Sequence, residues 1–360
     1  MDCPTKRVGH LAFVSLLVVG ALYIFIPTSD VSKGLLSSKY CQYSSSPKET
    51  TTVTLRDELE ATLDGVATEN KTLIVVILNK AYIEGEKPML DLFLESFWLG
   101  QDTQFLINHL LLVAMDQVAY DRCKFLRLHC YRLVIDGVDY GEEKLFNSRD
   151  FINMMWRRTL FLADVLKRGY SFIFTDMDIM WFRNPFIRLG QNESGDIQIS
   201  VDKFNGNPWS TNNHINAGFY FVKSNNKTIS LFETWNAMRN YSNYKGMNEQ
   251  DVLQKMMRIG MFKKLGLRVR FLDTLFFSGF CQNSKNFSVV ATVHANCCPR
   301  IDAKVADLSI VLRDWRSYRT MVDDSKKRLS GSTNDMSTLR WSKHVACITS
   351  MRNFNRASLS

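Results

Sequence analysis

Apolar runs of strand length alternate with amphipathic stretches of helix length through the body of this chain. TLIVVIL, residues 72–78, is a continuous run rich in β-branched residues, the mark of a strand buried on both faces. MLDLFLESFWLG (89–100) predicts a helix and HLLLVAM (109–115) a second strand. DQVAYDRCKFLRL (116–128) predicts a second helix with Asp116 as its N-cap, and YRLVI (131–135) a third strand. SRDFINMMWRRTLFLADVLKRG (148–169) is a long amphipathic pattern closed by Gly169, and YSFIFT (170–175) predicts a fourth strand. Further strands are expected in DIQIS, AGFYFV, VRFL and VVATVH, with helices over 228–240 and 248–259. The alternation predicts an α/β class fold: a mixed sheet, mostly parallel at its start, flanked by helices. No internal repeat is visible.

The amino terminus changes the picture. Lys6 and Arg7 precede an apolar run over 8–26, about the length a bilayer-spanning helix needs. A signal peptide is the competing reading, but bulky Tyr23, Ile24, Phe25 and Ile26 lead into Pro27 where small residues should mark a cleavage site. We therefore expect a cytosolic tail over 1–7 and an uncleaved transmembrane anchor over 8–26. A Ser/Thr-rich stem follows over 27–70, with a first helix starting near Thr54. The globular domain is expected over 71–345, and 346–360 as a tail.

The formal net charge of +9 comes without a dense Lys/Arg tract, zinc-finger spacing or stacking motif, so no nucleic-acid partner is expected. Eight cysteines are present, and seven lie beyond the anchor, where an oxidising lumen permits disulfides. CKFLRLHC and HANCCP lack the spacing of a structural zinc site, and connectivity does not follow from sequence. Glycosylation sequons stand at Asn70, Asn192, Asn226, Asn240 and Asn286.

The candidate chemistry lies in GYSFIFTDMDIMWFRNPF (169–186). Asp176 and Asp178 sit at the end of the fourth strand, where ligands of open α/β sheets bind. Two ionised carboxylates in an apolar run need compensation. A divalent cation supplies it, and hard ions leave positions open for phosphates. In the structural alternative, Asp176 caps a turn and Asp178 pairs with an arginine such as Arg183.

These residues, followed by INAGFYFVKSN, NEQDVL and VHANCC in that order, resemble the plant nucleotide-diphospho-sugar transferases of glycosyltransferase family 77. That family includes pectin xylosyltransferases and extensin arabinosyltransferases. The resemblance runs from about Thr72 to about Arg319. It implies a GT-A-like nucleotide-sugar-binding fold, a type II Golgi membrane protein with a lumenal catalytic domain, Mn²⁺ or Mg²⁺ as cofactor, and retention of anomeric configuration. It also implies a nucleotide-sugar donor, with UDP-xylose or UDP-arabinofuranose expected, and a polysaccharide or glycoprotein acceptor.

Residue by residue, the resemblance makes Asp176, Asp178 and His294 metal ligands. Asp176, Arg158, Asn216, Ala217, Gly218 and Gln250 become donor-binding candidates, and Asp178 and Asp251 catalytic ones, with Asp251 as the candidate nucleophile. Asn248 is expected to cap the helix carrying Gln250 and Asp251. Trp181 and Trp209 are weighed as sugar-stacking rings against core packing. Two other functions stay open: a glycoside hydrolase using Asp176 and Asp178 as its acid/base pair, and a non-catalytic scaffold or lectin-like subunit.

Overall fold

The computed structural model describes residues 57–134, 141–144, 147–189, 195–327 and 340–357. The expected tail and anchor, the stem up to residue 56, and Cys3, Cys41 and Asn192 lie outside the described residues. Among those described, no helix is long and apolar enough to cross a membrane.

The described residues carry a central seven-stranded sheet. Its strands are β1 (Thr72–Leu78), β2 (Leu110–Ala114), β3 (His129–Arg132), β4 (Ser171–Thr175), β6 (Ile197–Val201), β7 (Ile215–Val222) and β8 (Val269–Phe271). Their spatial order is β3-β2-β1-β4-β7-β6-β8. The first four are parallel; β7 runs antiparallel to β4 and β6, and β8 is parallel to β6. A small second sheet joins β5 (Ile179–Trp181), β10 (Thr292–His294) and β9 (Phe277–Gly279).

Side-chain alternation divides each central strand between two cores. Ile74, Val76 and Leu78 of β1 face one side, with α2 (Met89–Leu99), α3 (Gln117–Phe125) and α7 (Ile301–Lys327). Leu73 and Val75 face the other. There they meet α1 (Glu58–Val66), α4 (Arg149–Lys167), α5 (Asn226–Met238) and α6 (Glu249–Arg258). Each such buried side chain contributes about 1.5–3 kcal/mol. This three-layer packing is why the central strands read as continuous apolar runs.

Local signals set the helix ends. Asp116 caps α3 by accepting from Ala119 N at 2.8 Å, and Asn248 caps α6 by accepting from Asp251 N at 2.8 Å. Gly169, with φ +84°, takes the left-handed conformation that ends α4.

The folded unit is wider than the expected 71–345. Leu59, Leu63 and Val66 of α1 join the core, and the expected tail is instead α8 (Val345–Ala357), tied down by a Cys298–Cys347 disulfide. Cys123–Cys130 and Cys281–Cys297 are also bonded. Asn70, Asn226, Asn240 and Asn286 are all exposed.

Candidate active site

The register of the two sheets assembles the site. β4 ends at Thr175, and Asp176 N donates to Gly218 O at 2.7 Å, holding the turn against β7. Asp178 leads into β5, whose Ile179 pairs with His294 of β10, and Ala295 N donates to Asp178 O at 3.0 Å. His294 is thereby placed beside a motif more than a hundred residues earlier in the chain. Its Nε2 lies 3.3 Å from Asp178 Oδ1 and 3.9 Å from Asp176 Oδ2. One ligand atom from each of the three residues falls within 4.8 Å of the others, a spacing a single ion can bridge.

Gly218 makes this convergence possible. A Cβ there would stand 2.4 Å from His294 Cε1 and 2.8 Å from Asp176 Oδ2. The requirement is for space, because Gly218 sits inside β7 in extended backbone.

Two cationic side chains hold the outer oxygens of the acids. Arg158 donates to Asp176 Oδ1 at 3.0 Å and to Glu249 Oε1 at 2.5 Å, with its guanidinium 4.5 Å from the centroid of Phe174. Lys304 Nζ lies 2.8 Å from Asp178 Oδ2, a charge contact without aligned hydrogen-bond geometry. Burial raises Asp176 to about 6; Arg158 opposes the rise and Asp178 adds to it. Its side chain keeps 35% exposure toward the cavity, so solvent tempers that burial. Burial would raise Asp178 too, but Lys304 and His294 outweigh it and hold this carboxyl well below the usual range. His294 is raised because Asp178 outweighs the burial that would lower it.

These residues line a cavity of ≈ 340 Å³, beside the carboxyl ends of β1 and β4. Asn79 and Tyr82, which follow β1, also line it. Burial pushes the Tyr82 phenol up to about 12, so it remains a hydrogen-bond donor at neutral pH.

The expected residues divide as follows. Asp176, Asp178, His294, Arg158, Asn216, Ala217, Gly218 and Gln250 all reach the cavity. Several of their polar groups are already engaged, however. Asn216 donates to Asp202 Oδ1 and accepts from Gly218 N, and Gln250 Oε1 accepts from Ala217 N at 2.8 Å. Arg183 does not meet Asp178. It donates to the carbonyls of Phe287 and Val290 and lies over the Trp315 ring. Trp181 is core, while Trp209 is half exposed, with the Arg268 guanidinium 5.6 Å from its ring centroid.

Asp251 requires correction. It is exposed on α6 and does not line the cavity. The acid of α6 that does is Glu249, only 3% exposed, whose Oε2 is buried with no hydrogen-bond partner among the described residues. The sequence carried a signal for this choice. Val252, Leu253, Met256 and Met257 form the buried stripe of α6, and Glu249 stands three and four residues before its start. Lys304 was missed as well, although it stands four residues before Leu308 in the buried stripe of α7.

An uncharacterized protein of Arabidopsis thaliana is 50% identical over 93% of this chain and 92% of its own length. Beta-arabinofuranosyltransferase RAY1, also of Arabidopsis thaliana, is 26% identical over 49% of this chain and 32% of its own length. Among solved structures, a glycosyltransferase involved in glycosylation of the major capsid of PBCV-1 aligns with 66% of this chain and 98% of its own. That alignment has 12% identity and a TM-score of 0.40. The profile of the nucleotide-diphospho-sugar transferases matches residues 105–308, which include Arg158, the aspartate pair, Gly218, Glu249 and His294, and the chain belongs to that family.

Proposed function

We propose that this chain is a retaining glycosyltransferase of GT-A type. It would move a pentose, arabinofuranose or xylose, from a nucleoside-diphosphate donor to a polysaccharide or glycoprotein acceptor. The observation that carries the reading is the convergence of Asp176, Asp178 and His294 over the space left by Gly218. Two carboxylates and an imidazole suit Mn²⁺, and Mg²⁺ less well because it prefers oxygen ligands. When bound, the ion would neutralise charge developing on the departing diphosphate.

The chain's own residues do the remaining work. Arg158 and Lys304 fix the outer carboxylate oxygens and add positive charge where diphosphate oxygens would rest. Asn79 and Tyr82 offer polar contacts on the nucleoside side. Glu249 holds Arg158 through Oε1 at the cavity wall, and replaces Asp251 as the α6 acid of the site. The acceptor proton would pass to the departing phosphate or to one of these acids.

The arabinofuranosyltransferase relative supports the pentose reading. The three disulfides among the described residues support a lumenal, oxidising location, with the chain held in the Golgi membrane through residues 8–26. A glycoside hydrolase is disfavoured, because Asp176 and Asp178 share one turn and cannot flank a glycosidic bond from opposite faces.

The test is to incubate the full-length chain with UDP-xylose and UDP-arabinofuranose, with Mn²⁺ or with EDTA. UDP release that requires Mn²⁺ is expected. Lack of nucleotide-sugar binding in Mn²⁺ would refute the reading and favour a scaffold; release of free sugar from glycosides would favour the hydrolase.

A further inference from the structure

The cavity wall has two characters. Along α4, Arg158 stands at the aspartates, Met154 and Met155 lie one turn earlier, and Phe151 a further turn away. At 1.5 Å per residue this apolar face extends about 10 Å from the arginine. The C-terminal helix supplies a second apolar wall. Met351 and Phe354 of α8 line the cavity and share a helix face with Cys347, at spacings of four and seven residues. The Cys298–Cys347 disulfide ties that face to the loop that follows His294, so the wall is anchored beside the proposed ion ligands.

The charge of the lining limits what such a wall can receive. Among the described residues lining the cavity are five carboxylates (Glu143, Asp176, Asp178, Asp202 and Glu249) against three cations (Lys144, Arg158 and Lys304). A dication would cancel that surplus, and a nucleoside diphosphate would make the loaded cavity negative again. A polyanionic acceptor would enter against this field. An uncharged one with an apolar face would meet methionine and phenylalanine side chains, which adapt to irregular apolar surfaces.

Building on the glycosyltransferase reading above, we infer that the first turns of α4 and the stripe on α8 form an acceptor subsite for an uncharged acceptor with an apolar face, and that it rejects uronic-acid polymers. Met155 of α4 and Met351 of α8 determine this specificity by contact with the acceptor.

The experiment uses the full-length chain with Mn²⁺ and two acceptors: p-nitrophenyl xyloside, which is uncharged and aromatic, and trigalacturonate. Donors are UDP-xylose and UDP-arabinofuranose, and UDP affinity is measured by calorimetry in parallel. Transfer to the xyloside is expected, with little or none to trigalacturonate. Met351→Ala and Met155→Ala should each raise the acceptor KM about ten-fold and leave UDP affinity within about two-fold; if one variant does not fold, the other decides. Three results would overturn the inference while leaving the glycosyltransferase reading intact. They are equal transfer to trigalacturonate, unchanged acceptor KM in the variants, or loss of UDP affinity in them, which would place the nucleoside on this wall. Absence of Mn²⁺-dependent UDP binding in the unaltered chain would remove both.

Discussion

Two neighbouring acids on α6 separate a reading of the motif from a reading of its geometry. Glu249 is buried against Arg158, whereas Asp251 is exposed. Glu249→Gln should lower transfer about 100-fold by removing the buried anion that pairs with Arg158 beside Asp176. Asp251→Asn should stay within about two-fold of the unaltered chain, as surface changes outside a site do. Steady-state kinetics on the pair decides, and the reverse ranking would restore Asp251. Gly218→Ala tests space. Its methyl would collide with His294 and Asp176, so Mn²⁺ affinity in calorimetry should fall by more than about ten-fold while the far-ultraviolet circular dichroism is kept. Unchanged affinity would mean that these three side chains do not share an ion. The aspartate pair was legible because carboxylates in an apolar strand need compensation. Asn216 and Gln250 were legible as cavity residues, but their engagement with Asp202 and Ala217 was not, since those contacts depend on tertiary packing.

Among the elements, the strands and helices of the first half followed their hydrophobic period closely. The strand expected at 131–135 forms instead at β3, His129–Arg132, whose pairing with β2 is set by the sheet and not by local composition. Three-residue β5 and β9 are too short to show a period, yet β5 is the strand that brings His294 to Asp178. The C-terminal helix reads as a tail in the sequence because nothing in its local pattern announces the disulfide that docks it. That bond closes a sequence separation of 49 residues, so replacing Cys298 and Cys347 together with Ser should cost about 4 kcal/mol by chain entropy. Guanidinium unfolding measures it, and a loss below about 1 kcal/mol would show that packing alone holds α8.

The whole molecule couples its fold to pH through the acids it buries. Asp176, raised to about 6, favours the metal-free fold at low pH, and its contribution is lost as pH rises through that value. Asp178 acts oppositely: its contribution is present above the ordinary carboxylate range and is lost as pH falls toward its depressed value. An ion must displace the proton from Asp176 and from the raised His294. Mn²⁺ affinity should therefore rise about five-fold from pH 5 to pH 6 through Asp176 alone, more steeply with His294 deprotonating as well, and further to pH 7, with proton release detectable by calorimetry in buffers of different ionisation enthalpy. A flat profile would exclude both groups as ligands. The three-layer α/β plan was legible in the sequence because it rests on burial period alone; the cavity was not, because its lining comes from segments spread between Asn79 and Phe354.

The most direct measurement is the binding of UDP to the full-length chain by calorimetry, with and without Mn²⁺, in the unaltered protein and in Asp178→Asn. The account predicts UDP affinity that depends on Mn²⁺ in the former, and loss of that dependence in the latter with the fold intact. UDP binding equally tight without the ion, or untouched by the substitution, would contradict it.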